Sequence, residues 1–221
     1  MLAKWITCDV PVGARDRFVA AQQRWSVIAD QPGLIGQVGG WDSRTGRAHV
    51  LALWADADSH QAFLQGRHDS VADAGVYSEI AVSHGEVVLT MPGTAPTVAE
   101  AMDGGLLRVA DCHLAPGAAE HFLAVQREVW APAMASAGVL GGVFARLAEH
   151  RYLVATFWPD VETHGRYAEE VPRLRARAAA DDDIASMSGR VLELEPSWRV
   201  RTRSAPAAAL TFGEDRGWSV P

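Results

Sequence analysis

Apolar positions in this chain form short, near-continuous runs separated by longer stretches at helical spacing, and the whole succession occurs twice. Residues 2–91 and 106–196 align at an offset of 104. From Cys8 the first copy reads C-D-V-P-V-G-A-R-D-R-F-V-A-A-Q, and from Cys112 the second reads C-H-L-A-P-G-A-A-E-H-F-L-A-V-Q. W-A-D-A-D-S-H-Q-A-F from Trp54 returns as W-P-D-V-E-T-H-G-R-Y from Trp158. The register slips by one residue in between, where Gly33-Leu34-Ile35-Gly36 meets Gly138-Val139-Leu140-Gly141. A period of about a hundred residues is too long for a solenoid unit and suits a duplicated domain whose copies pack together.

Each copy predicts strand, helix, strand, strand, helix, strand. The opening strands cover 2–10 and 106–114. The first helices cover 14–30 and 118–137, with Asp16 or Glu120 in the first turn, where an acid favours the helix dipole. Strands at 34–41 and 48–54, and at 139–146 and 152–158, read as hairpins turning at Ser43-Arg44-Thr45-Gly46 and around Ala148-Glu149-His150. The second helices start near Asp56 and Asp160, which suit the N-cap. The closing strands cover 80–91 and 184–194. This βαββαβ order is the ferredoxin-like unit.

Residues 49–54, 153–158 and 87–89 are apolar almost throughout, whereas a sheet with one wet face would alternate. Both faces are therefore expected to be covered, one by helices and the other by the sheet of the second copy. The expected fold is α+β, two ferredoxin-like repeats forming an intramolecular dimeric α/β-barrel. The repeats occupy 1–91 and 106–196. Residues 92–105, with Pro92-Gly93, Pro96 and Asp103-Gly104-Gly105, form the linker and carry a helical turn at 97–102. Residues 197–221 are the tail, with Trp198 and Trp218 as anchors across the barrel.

Composition narrows the function classes. A net charge of −7 argues against a nucleic-acid footprint, because the one basic cluster, Arg199, Arg201 and Arg203, is short and lies in the tail. No apolar run is long enough to span a bilayer and no signal-peptide pattern opens the chain, so a cytoplasmic protein is expected. Cys8 and Cys112 occupy equivalent positions and read as two buried thiols rather than a disulfide.

Candidate chemistry gathers in the first copy. Phe18, Gln22, Trp25 and Ala29 form one helical stripe, so Gln22 either holds a strand end or points into a pocket between helix and sheet; Gln126 repeats it. On the second helix His60, Leu64, His68 and Val71 share a side. His60 recurs as His164, which favours packing or capping, whereas His68 has no counterpart and suits proton transfer or a bland helix end. His49 lies on the face of Leu51 and Leu53, opposite Trp54. It and His84, whose direction depends on an expected bulge at Gly85, are placed to reach one cavity. Asp9 and His113 end equivalent strands with different chemistry. Trp25, Trp41 and Trp54 serve either as core or as walls of a flat pocket, with Gly36, Gly39 and Gly40 keeping a strand narrow beside them. No zinc spacing, P-loop, nucleophile elbow or dinucleotide fingerprint occurs, and His60 and His68 stand about 12 Å apart along a helix, too far to share an ion.

The strings L-A-K-W-I-T-C, A-Q-Q-R-W and G-L-I-G-Q-V-G-G-W resemble the YdbC-like family of uncharacterised bacterial proteins, within the dimeric α/β-barrel group that includes the antibiotic-biosynthesis monooxygenases. The second copy keeps the skeleton but reads G-G-V-F-A-R in place of the last string. That group includes oxygenases without cofactors, haem-degrading enzymes, isomerases and cyclases, so the resemblance implies the fold more than the reaction. The leading expectation is a small-molecule enzyme acting on an aromatic or polyketide-like compound, by cofactor-free oxygenation or by proton-transfer cyclisation or isomerisation. His68 or His49 would be catalytic, and Gln22, Trp25, Gln37, Trp41, Trp54 and His84 would bind substrate. No metal or nucleotide cofactor is expected; a haem on one histidine would leave no motif. The alternatives are a non-catalytic small-molecule or haem binder, and a structural protein with filled pockets. The fused copies form a pseudo-dimer that is open to further pairing as a homodimer.

Overall fold

A computed structural model of the chain describes residues 1–202; Arg203 and Trp218 lie outside the described residues. Strand β1 (Leu2–Asp9) leads into α1 (Arg15–Arg24), which tightens into a 3-10 segment at Trp25–Ile28. Strands β2 (Leu34–Trp41) and β3 (Ala48–Trp54) form a hairpin. Asp42 organises its turn: one carboxylate oxygen accepts from the Arg44 N–H at 2.9 Å and the other from the Thr45 hydroxyl at 2.9 Å. Gly46 supplies the φ of 72° that the turn requires. Helix α2 (Ala57–Gly66), the single turn α3 (His68–Val71) and β4 (Glu79–Met91) complete the first half. The turn α4 (Val98–Ala101) precedes β5 (Leu106–Leu114), α5 (Ala119–Val125), a π turn at Gln126–Trp130 and α6 (Ala131–Ser136). Then follow β6 (Gly141–Ala148), β7 (Arg151–Trp158), α7 (Val161–Ala178), β8 (Ile184–Leu194) and the short β9 (Val200–Arg201).

The predicted caps are present: Asp56 accepts from the Ser59 N–H and Asp160 from the Thr163 N–H, each at 2.7 Å. The helix expected as one piece over 118–137 is opened by the π turn instead. A π turn holds one residue more than an α turn, and it lies upstream of the place where the internal alignment slips by one. Widening the helix accommodates the extra residue.

The strands close an eight-stranded antiparallel barrel in the order β2-β3-β1-β4-β6-β7-β5-β8 and back to β2. Each half contributes four strands in the same order: second, third, first, fourth. The β2–β8 seam is short, pairing Gly40 with Leu194 and Trp41 with Glu193, and β9 extends it at Gly36 and Gln37. Inside the barrel, Trp5, Leu51 and Leu53 of the first half meet Leu107, Leu153 and Phe157 of the second, joined from the linker by Val98, Ala101 and Met102. The alternate positions lie under the helices. Val50 packs with Phe18, Trp54 with Phe63, and Trp158 with Tyr167. Both faces of β3 are thus buried along its whole length, which is why its sequence does not alternate.

Residues 87–89 are only half-buried. There β4 bulges against β6 between Val87 and Leu89, so the expected bulge at Gly85 is displaced. Gly85 instead pairs regularly with Ala3, and a Cβ on it would stand 2.7 Å from the Arg146 carbonyl oxygen. Gly39 and Gly40 of β2 serve closure rather than ligand space. A Cβ at Gly40 would meet the Glu193 carbonyl oxygen at 2.1 Å, and one at Gly39 would lie 3.0 Å from the ring of Trp198. Trp198 is fully buried, with its ring centroid 5.4 Å from Phe18 and 5.3 Å from Trp41.

Candidate functional site

A cavity of about 200 Å³ lies on the outer face of the first-half strands, beneath α1. Gln22, Trp25, Gln37 and His68 all line it, so four of the eight residues predicted from sequence meet there. Gln22 and Trp25 come from the end of α1 and the 3-10 turn that follows, both half-buried. The Gln37 Nε2 is buried without a hydrogen-bond partner. An amide donor left unpaired in a native site costs about 1–3 kcal/mol, and a ligand oxygen would recover it.

His68 does not continue the helix that carries His60. Helix α2 ends at Gly66, and Arg67 is held outside it by Asp30, at 2.9 Å, and by the Val27 carbonyl, at 3.1 Å. The break turns the His68 ring onto Trp25, 6.0 Å between centroids, and onto Phe63, 5.8 Å. Its Nδ1 lies 2.9 Å from the Asp69 carboxylate, which fixes the ring orientation from the solvent side. His60 stays beneath α2, packed edge-on against Trp54 at 5.2 Å, with its pKa lowered to about 4 by burial.

The other four predicted residues lie elsewhere. His49 faces the barrel interior, stacked on Trp5 at 5.0 Å with Thr7 Oγ1 3.1 Å from Nδ1. His84 pairs in register with Lys4 on the outer face, its ring 5.0 Å from His60. The sheet therefore separates His49 from His84, and they do not share a cavity. Burial, with Arg190 adding to it, holds the His49 pKa down at about 4, so this imidazole is neutral near pH 7. Trp41 is covered by the Arg15 guanidinium, 4.9 Å from its ring centroid, and Trp54 stacks on Phe63 at 5.2 Å. Of the three predicted walls, only Trp25 borders the space. Asp9 is engaged by Arg47 at 2.6 and 2.9 Å, and His113 is half-exposed 3.9 Å from Asp111; neither lines this cavity.

Lys4, which the sequence reading did not single out, lines the same cavity. It is the third residue of β1 and only 8% exposed, and burial lowers its pKa. The second half holds a matching cavity of about 260 Å³, bordered by Gln126, Trp130, Tyr167 and Arg108. Gln126 and Trp130 are the two ends of the π turn. Arg108 is the third residue of β5, the counterpart of Lys4. Cys8 and Cys112 border the two cavities as free, buried thiols, and burial pushes their pKa up to about 11 and about 12. Neither thiol is ionised near neutrality.

Comparison with known proteins places these cavities in a broader setting. Residues 2–84 match the family model described as "Domain of unknown function (DUF4937)". The search of curated proteins gave no match. Among solved structures, a protein from Lactobacillus acidophilus NCFM provisionally named a monooxygenase is 11% identical, with 90% of this chain and 95% of that chain covered and a TM-score of 0.70. A second provisionally named monooxygenase, from Fusobacterium nucleatum subsp. nucleatum ATCC 25586, is 10% identical over 87% of this chain and 91% of that one, with a TM-score of 0.69. An anthrone oxidase-like protein is 11% identical over 88% and 91% of the two chains, with a TM-score of 0.58. The likeness is one of fold. Among the described residues no helix is long and apolar enough to cross a membrane.

Proposed function

We propose that this chain is a small-molecule enzyme of the antibiotic-biosynthesis-monooxygenase type, a tandem duplication of a ferredoxin-like repeat acting in the cytoplasm on an aromatic or polyketide-like compound. The fold shared with monooxygenase-named proteins supports the class. The observation that carries the reading is the convergence of Gln22, Gln37, Trp25 and His68 on one open cavity between helix and sheet. That convergence also weighs against pockets filled by their own side chains.

In this reading the substrate ring lies against Trp25, and the amides of Gln22 and Gln37 donate to a carbonyl oxygen. His68 takes the proton from the adjacent activated carbon, and the resulting enolate is held by the same amide donors. From the enolate, proton return at another carbon gives isomerisation or cyclisation. With dioxygen as oxidant, an activated CH₂ becomes a carbonyl: one oxygen atom stays on carbon and the other leaves as water with the two hydrogens. The test is oxygen uptake and product analysis with anthrone as probe. His68→Ala should lower kcat by about a hundredfold or more, the usual contribution of a positioned acid–base group. Turnover unchanged in His68→Ala removes that residue from the mechanism, and a Soret band on the purified protein would favour the haem-binding alternative.

A further inference from the structure

The two cavities are lined at matching positions by Cys8 and Cys112, Phe18 and Phe122, and Gln22 and Gln126, and each half places a cation at the third position of its opening strand, facing the cavity. Among the described residues neither Lys4 nor Arg108 makes a hydrogen bond or an ion pair through its side chain. Lys4 is more than nine-tenths buried. A largely buried lysine ordinarily has a carboxylate beside it, because withdrawing an ammonium from water without a partner is costly. The groups around Lys4 do not supply one. His60 and His84 are bases, Cys8 and Tyr77 have their pKa values raised by burial, and His68 leans on Asp69. The one cavity acid, Asp73, already accepts from Arg24 at 2.8 Å and from the Gly75 N–H at 3.0 Å. In the second cavity Asp181 borders the space without reaching Arg108, and Arg175 adds a further positive charge.

We infer that both cavities are built for an aromatic ligand bearing an acidic oxygen, a phenol or enol, whose anion docks on Lys4 in the first half and on Arg108 in the second. In both cavities the ligand's oxyanion pairs with a cation, the Lys4 ammonium in the first and the Arg108 guanidinium in the second. Burial lowers the pKa of Lys4, and an anion bound beside it would raise that pKa again. The apolar surroundings fit the ring: Phe18 and Trp25 in one cavity, Phe122 and Trp130 in the other, with Ile80 and Met187 exposed at the respective margins. Arginine forms no imine, so its presence at the matching position favours charge recognition over covalent capture.

This inference names the ligand class of the site proposed above, and its test is binding, which needs no turnover. Calorimetric titration at a pH where 4-nitrophenol is ionised compares it with 4-nitroanisole, the same ring without an ionisable oxygen. The phenolate should bind at two sites per chain, each at least about tenfold tighter than the anisole, the range expected for a charged hydrogen bond. Lys4→Met should abolish one class of site and Arg108→Met the other, while Lys4→Arg and Arg108→Lys retain them. Equal affinity for the two probes in the unmodified protein overturns the inference without recourse to any variant, as does phenolate binding that survives both methionine substitutions. A phenolate preference without turnover of any probe would leave this inference standing and remove the enzymatic reading; turnover without that preference would do the reverse.

Discussion

Acid should destabilise this protein well before its carboxylates are protonated, and the buried imidazoles are the reason. His49 is fully buried and His60 is 4% exposed; burial holds each pKa near 4, against 6.5 for a free imidazole. Below pH 6.5 the unfolded chain binds protons that the folded chain refuses until about pH 4. The stability present above 6.5 is therefore lost as the pH falls through that window. One pKa unit corresponds to about 1.4 kcal/mol, so at about pH 5 each of these histidines removes on the order of 2 kcal/mol; with His164, whose pKa burial also lowers to about 4, the three remove on the order of 6 kcal/mol. Asp42, Asp56, Asp73 and Asp160 have pKa values below the ordinary 3.8, so they act at lower pH and leave the window to the imidazoles. Urea unfolding at about pH 7.5 and pH 5 measures the difference. His49→Gln and His60→Gln, which remove the titrating group, should each shrink the pH dependence by about a third, whatever they cost in absolute stability through lost stacking on Trp5 or Trp54. A free energy of unfolding that is the same at both pH values, or a pH dependence untouched by either substitution, would refute the reasoning.

Two further expectations follow from packing and burial. Gly40→Ala places a Cβ 2.1 Å from the Glu193 carbonyl oxygen on the short β2–β8 seam, so it should cost at least about 1–3 kcal/mol in urea unfolding, whereas alanine at the open Gly66 should cost nothing comparable. The thiols of Cys8 and Cys112, with pKa values near 11 and 12, are about 0.1% ionised or less at pH 8. An aromatic disulfide reagent should therefore label both slowly at pH 8 and faster as the pH rises toward 11, and rapid labelling at neutral pH would contradict the raised pKa values.

The strands were legible in the sequence because the barrel buries them on both sides, so that β3 and β7 carry continuous apolar runs with sharp ends. The caps were legible for a local reason: an aspartate three residues ahead of its backbone donor is a self-contained signal. What the sequence concealed depends on partners remote along the chain. Gly39 and Gly40 looked like ligand space because nothing nearby in sequence fills them; Trp198 and the β8 backbone do. The π turn was half visible. A one-residue slip in the internal alignment announces an extra residue, but only the structure shows it taken up inside a helix rather than in a loop.

The candidate site was legible to the extent that helical periodicity governs it. Gln22 and Trp25 stand on the sheet-facing stripe of α1, and that stripe is where the cavity lies. His68 arrived there for a reason the periodicity missed, because the pattern continued a helix that Arg67 breaks, and the break swings the ring toward Trp25. Strand parity fixed the face of His49 correctly but could not say which face held the cavity. Lys4 was concealed by the ordinary expectation that lysine in a strand points to water. Yet L-A-K-W-I-T-C and L-L-R-V-A-D-C each interrupt an apolar run with one cation at the same position, on the face that the helices cover. The ligand anion inferred above would supply the partner that neither the Lys4 nor the Arg108 side chain has among the described residues.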